Sequence, residues 1–161
     1  MKNMKIISLL LCLFTQIYLP AQTFKAIVVH VNDGDSFIVK VKATSEKKDI
    51  RLAYIDAPEY DQEHGSVSKS FTKQRILNKE VILKQVAYDS RNNRPVCELY
   101  YDEGNSLIEE LIASGHAWHW RKYSDSKVLQ QLHETARKNK IGLWKNPKPT
   151  PPWIYRWNKY K

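Results

Sequence analysis

The spacing of apolar residues along the chain changes several times, and each change marks an element. Phe24 to Val31 is mostly apolar and β-branched, NDGD (32–35) follows as a turn signal, and SFIVKVKA (36–43) alternates apolar and polar as a half-buried strand does. That order predicts a hairpin. KKDIRLAYID (47–56) continues as a third strand, with Ile50, Leu52 and Tyr54 on one face and Arg51, Ala53 and Ile55 on the other. The period then becomes helical in SVSKSFTKQRILNKE (66–80), where Val67, Phe71 and Ile76-Leu77 can line one face while Lys69, Lys73 and Arg75 stay outside. Two further strand-like runs, VILKQVA (81–87) and VCELYY (96–101), flank the polar loop YDSRNNRP (88–95). SLIEELIASG (106–115) reads as a short helix capped by Ser106 and stopped by Gly115. A third helix lies within 126–142, with Leu129, Leu132 and Ala136 at helical spacing and Gly142 at its end. The prolines of NPKPTPPWIYRWNKYK (146–161) argue against a regular helix there and for an extended strap or tail.

Three strands, a helix, two strands and two helices predict an α+β domain built on a five-stranded barrel of the OB type with three α-helices, a fold whose open face often handles oligonucleotides. The first 21 residues stand apart. Lys2 and Lys5 precede an apolar run from Ile6 to Phe14 and a small-residue end at Ala21, the layout of a secretory signal peptide. That run is shorter than the roughly 20 residues a membrane span needs. The expected organisation is a leader over 1–21 cleaved near Ala21, a barrel domain over 22–147 and a Pro- and aromatic-rich tail over 148–161, in a protein exported to the medium or a periplasm. With Cys12 in the leader, Cys97 is left alone and no internal disulfide can form.

The formal charge of +9, reduced by two when Lys2 and Lys5 leave, favours polyanionic partners. Nucleic acid and anionic membrane surfaces both qualify on charge, but no basic amphipathic helix follows the leader, so no stable membrane association is expected. The domain is taken as a monomer.

Charge is concentrated at strand ends. Asp33 and Asp35 sit in the first hairpin turn, and Asp56 and Glu59 just after the third strand, so pairing of that strand beside the hairpin would bring the carboxylates to one end of the barrel. Carboxylates so placed raise one another's pKa and persist most readily around a cation; with no His or Cys among them, Ca²⁺ fits better than Zn²⁺. Arg51 on the third strand and Arg94 before the fifth can face the same end and form a clamp for a phosphate. Each piece also has a plainer reading: DGD as a hairpin turn, and Arg51 as the ion-pair partner of Asp49, two residues back on the same face. The joint pattern is more specific than its parts.

DGDS in a hairpin, RLAYIDAPE ending the third strand, SFTKQ in a helix, NNRPV before a strand, DEGNSLIEELIASGHAW and ARKNKIGLW together resemble the staphylococcal-nuclease (thermonuclease) family, in family order from about Lys25 to Trp144. The resemblance implies a Ca²⁺-dependent endonuclease that cleaves single-stranded DNA and RNA to leave 3′-phosphates. It implies Ca²⁺ ligands at Asp35, Asp56 and the main-chain carbonyl of Ala57, a general base at Glu59, and phosphate-binding arginines at Arg51 and Arg94. Asn92-Asn93 stand where the family often has Tyr-Gly, which makes Arg91 a competing phosphate ligand, and the loop 60–65 is shorter than in the best-known member. Tyr123 falls where the family contacts the nucleotide and can stack on a base. In HAWHWRKY (116–123) the two histidines lack further ligands for zinc, and Trp118 and Trp120 are expected in the core. The competing reading is a catalytically inactive OB-type nucleic-acid-binding module.

Overall fold

The structure, a computed structural model, describes residues 22–161. The expected leader and its cleavage site lie outside the described residues. Strands β1 (Thr23–Val31), β2 (Ser36–Val41) and β3 (Lys47–Leu52) form an antiparallel meander, followed by a two-residue β4 (Ile55–Asp56) and helix α1 (Gly65–Ile76). β5 (Glu80–Asp89) returns beside β1, and β6 (Arg94–Tyr101) pairs with β5. β6 also meets β3 in parallel, Arg51 opposite Val96 and Leu52 opposite Cys97, which closes five strands into a barrel. Register shifts in β1 between Val28 and His30 and in β5 between Gln85 and Ala87 supply the bulges that bend strands around so small a barrel. β7 (Asn105–Ser106), α2 (Leu107–Ala113), β8 (Trp118–His119), α3 (Lys127–Lys138) and α4 (Pro152–Lys159) complete the order.

The alternation legible in the sequence builds the core. Phe37, Val39, Ile50, Leu83 and Leu99 point into the barrel and are fully buried, and Leu107, Leu111 and Ile112 of α2 cover its end. The side-chain oxygen of Ser106 accepts from the Glu109 amide, as expected of an N-cap. Cys97 is buried within the core, and burial pushes its thiol up to about 12.

Three expectations are corrected. The third strand is not continuous: Tyr54 adopts a left-handed conformation (φ 65°), which breaks the alternation, so Ala53 and Ile55 are buried and β4 turns away to pair with β8. On α1 the buried stripe is Ser68, Thr72 and Ile76 rather than Val67 and Phe71; Val67 is exposed and Phe71 half-buried. Small polar residues serve there because the helix lies hard against the β1–β2 turn: Thr72 Oγ1 donates to the Gly34 carbonyl at 2.7 Å and Ser68 Oγ to that of His116 at 2.8 Å. Finally, residues 152–159 form a helix, the fourth among the described residues, instead of an extended tail. Prolines 151 and 152 do not prevent it, because a proline in the first helical turn has no intrahelical N–H partner to lose.

His116, with Phe71 against its ring at 4.4 Å, lies 2.8 Å (Nδ1) from His64 Nε2. Burial first, then the charges of His64 and Arg75, lowers His116 to about 4, and burial lowers His64 too. Both are neutral in the fold at pH 7, whereas the unfolded chain takes up protons near pH 6.5. Stability held above pH 6.5 is therefore lost as pH falls toward 4, and the urea midpoint should drop between pH 7 and pH 5 by less in His116→Gln than in the parent; equal drops would contradict the assignment. A second prediction concerns the turn. A Cβ on Gly34 would lie 2.0 Å from Ser68 Oγ and 2.7 Å from Ala57 Cβ. Gly34→Ala should cost about 1–3 kcal/mol in denaturant unfolding, as overpacking does, and adding Ser68→Gly should recover part of it.

Candidate active site

The packing of α1 against the β1–β2 turn fixes Asp35. Asp33 Oδ1 accepts from the Asp35 amide at 2.9 Å, and the Asp35 carbonyl accepts from Leu52 N at 2.8 Å, which ties the turn to β3. The bend at Tyr54 turns Asp56 inward beside it, and the Ala57 amide donates to Asp35 Oδ2 at 2.8 Å. Both carboxylates are buried. Arg51, paired with Ser36 of β2, lies between them: Nη1 donates to Asp35 Oδ1 at 3.2 Å and Nη2 to Asp56 Oδ1 at 2.8 Å. Burial raises the Asp35 carboxyl well above the usual range even with Arg51 beside it, and the Asp33 and Asp56 charges add to the rise. For Arg51 burial acts against the charge, but Asp35 and Asp56 outweigh it and hold the guanidinium protonated.

Arg94 starts β6 on the same side. Its guanidinium lies 3.5 Å from Asp89 and 3.8 Å from Asp49, and its buried Nε has no hydrogen-bond partner. Asp49 thus pairs with Arg94, and the alternative pairing of Arg51 with Asp49 is not what forms. Arg51, Glu59, Arg94, Trp120 and Arg156 share one cleft of about 750 Å³. Arg91, from the turn between β5 and β6, and Tyr123, which is 56% exposed, line it too.

Trp118 is buried as expected, but Trp120 is not a core residue. Its ring lies 5.7 Å from the Arg51 guanidinium, edge-on to Tyr123 at 4.7 Å and parallel to Trp153 at 6.2 Å. An aromatic shelf beside two arginines suits an unpaired base above a bound phosphate.

Arg156, on α4, is the site residue the sequence reading missed. Its Nη1 donates to Glu59 Oε1 at 2.6 Å and to Asp56 Oδ1 at 3.2 Å, and its Nη2 to Asp56 Oδ2 at 2.7 Å. The available signal was Pro152 one turn before Arg156, legible as a helix start rather than a helix breaker.

The donors fit a hard cation. A set made of the Asp35 and Asp56 carboxylates and the Ala57 carbonyl would offer a cation oxygen atoms only, with no sulfur or nitrogen among them. Among the described residues no three acidic, histidine or cysteine side chains converge to cage a metal by themselves, so a cation here would complete its shell with water or substrate. In HAWHW (116–120), His116 is taken by His64, and His119 Nδ1 lies 3.3 Å from Gln130 Oε1.

The family model described as "Staphylococcal nuclease homologue" matches residues 49–146. An "Uncharacterized endonuclease" of Escherichia coli O157:H7 is 35% identical over 132 residues, 82% of this chain and 84% of its own. One of the same name from Haemophilus influenzae is 34% identical over 80% of this chain and 71% of its own. The "Micrococcal nuclease" of Shigella flexneri is 29% identical over 83% and 80%. A closed five-stranded barrel, carboxylates and arginines gathered at one end of it, and relatives matched over 71% to 84% of their own length lead to one assignment: the chain belongs to the staphylococcal nuclease family.

Proposed function

We propose that the protein is an endonuclease that hydrolyses phosphodiester bonds of DNA and RNA, with single strands preferred, Ca²⁺ as cofactor and 3′-phosphate ends as products. The observation that carries this reading is Arg51 held between the buried Asp35 and Asp56 at a cleft that Glu59 and Arg94 also line. An inactive binding module would be expected to lose some of these groups, yet all five are present and clustered.

Each side chain has a task. Arg51 and Arg94 hold the non-bridging phosphate oxygens and offset the charge that grows as water attacks phosphorus. Glu59 accepts the proton of that water, and the bond from phosphorus to the 5′-oxygen breaks with its electron pair going to that oxygen, which takes up a proton from solvent water, leaving phosphate on the 3′ side. Asp35, Asp56 and the Ala57 carbonyl would hold Ca²⁺, which when bound supplies positive charge to polarise the phosphate. Arg91 and Tyr123, with Trp120, contact the flanking phosphate and base. Cleavage by the exported monomer, released from the leader of residues 1–21, completes the proposal.

On heat-denatured, end-labelled DNA, Glu59→Gln and Arg51→Lys should each lower kcat by about 100- to 10,000-fold, the usual span for a lost acid–base or charge-stabilising group. A chelator should abolish cleavage and Ca²⁺ restore it, with products that a 3′-phosphatase converts to extendable primers. Salt-sensitive binding with no cleavage at any Ca²⁺ concentration would replace the enzyme by the binding module.

A further inference from the structure

The proposed chemistry leaves Arg156 without a role, although it makes three hydrogen bonds to the site's carboxylates. Three carboxylates, those of Asp35, Asp56 and Glu59, face two guanidiniums. Arg51 bonds Asp35 Oδ1 and Asp56 Oδ1, and Arg156 takes the remaining Asp56 oxygen, Oδ2, at 2.7 Å. The Glu59 side chain has Arg156 as its one hydrogen-bond and ion-pair partner among the described residues.

The helix that carries Arg156 is fastened to the domain independently of this contact. Trp153 lies across Trp118 at 6.4 Å and parallel to Trp120 at 6.2 Å. The Gln62 side-chain amide donates to the Thr150 carbonyl at 2.6 Å, Asn146 donates to Glu63 at 2.8 Å, and Lys159 pairs with Asp61. The strap is thus held on the loop between β4 and α1, the loop that carries Glu59. Arg156 arrives at the carboxylates on a fixed helix rather than a loose tail.

We infer that Arg156 is a positioning residue of this centre: it aims the Glu59 carboxylate, and in the metal-free protein it holds the Asp56 oxygen that a cation would take. The inference rests on the nuclease reading above. It has two opposite consequences, which a purely structural strap would not produce. Loss of Arg156 frees Asp56 Oδ2, and a dication no longer competes with a guanidinium for it, so metal binding tightens. Loss of Arg156 also leaves Glu59 without its partner, so turnover slows while substrate binding, carried by Arg51 and Arg94, persists.

The test is calorimetric titration of Ca²⁺ without nucleic acid, paired with steady-state cleavage at saturating Ca²⁺, for the parent, Arg156→Ala, Arg156→Lys, Trp153→Ala and Lys159→Ala. Arg156→Ala should bind Ca²⁺ at least about 3-fold tighter, with kcat lower by about 10-fold or more and KM within about 2-fold, the scale found when residues supporting a site's ligands are removed. Arg156→Lys should recover part of kcat, and Trp153→Ala should shift both quantities as Arg156→Ala does. Lys159→Ala loosens the same helix without touching the carboxylates and should change only the melting temperature. Unchanged Ca²⁺ affinity and kcat in folded Arg156→Ala, beside an active parent, would overturn this inference alone. A parent that neither binds Ca²⁺ nor cleaves would overturn the nuclease reading and this one with it.

Discussion

Everything at the open end of the barrel depends on the neutralisation of two buried carboxylates. Asp35 and Asp56 have essentially no contact with solvent, and a lone ionised carboxylate in such a place would take up a proton instead. Arg51 offsets part of that cost by bridging both, and the main chain supports the arrangement through the Ala57 amide. Replacing such a group by well-packed apolar residues is often neutral or stabilising, so the charges are better explained by chemistry than by stability. A centre of this kind, rich in charge and held rigid, is suited to receive a cation and a phosphate together.

The scaffold's other features serve that rigidity. Gly34 brings the β1–β2 turn against Ser68 and Thr72 of α1, so the turn that presents Asp35 is clamped by a helix. The left-handed Tyr54 ends the run of β3, so that Ile55 and Asp56 turn away to pair with β8, and its carbonyl is secured by the Trp120 amide at 2.7 Å. Strain of this sort persists where the surroundings over-determine it, and it clusters at functional sites. The placement of Asp35 and Asp56 rests on a close turn–helix approach at Gly34 and a left-handed residue at Tyr54, within an otherwise ordinary barrel.

Much of this was legible in the sequence, and the reasons are physical. The strands were visible because their alternation is the pattern of a sheet with one buried face, and Asp35, Arg51, Asp56 and Glu59 were visible because charges at strand ends cost burial energy without a structural return. The buried face of α1 was not visible, since Ser68 and Thr72 are polar and their burial follows from how closely the Gly34 turn approaches, a tertiary fact. Trp120 looked like core because aromatic residues usually are, and only the folded cleft shows its ring beside Arg51. Arg156 was hidden by reading the prolines as helix breakers when they are helix starters, and its partners Asp56 and Glu59 lie about a hundred residues away in the chain.

The most direct test of the account is a crystal structure grown with Ca²⁺, using anomalous scattering to locate the ion. A single peak is expected at the barrel end, about 2.3–2.6 Å from carboxylate oxygens of Asp35 and Asp56 and from the Ala57 carbonyl. A peak elsewhere, or none, with Arg51 and Arg156 still closed on both carboxylates, would contradict it.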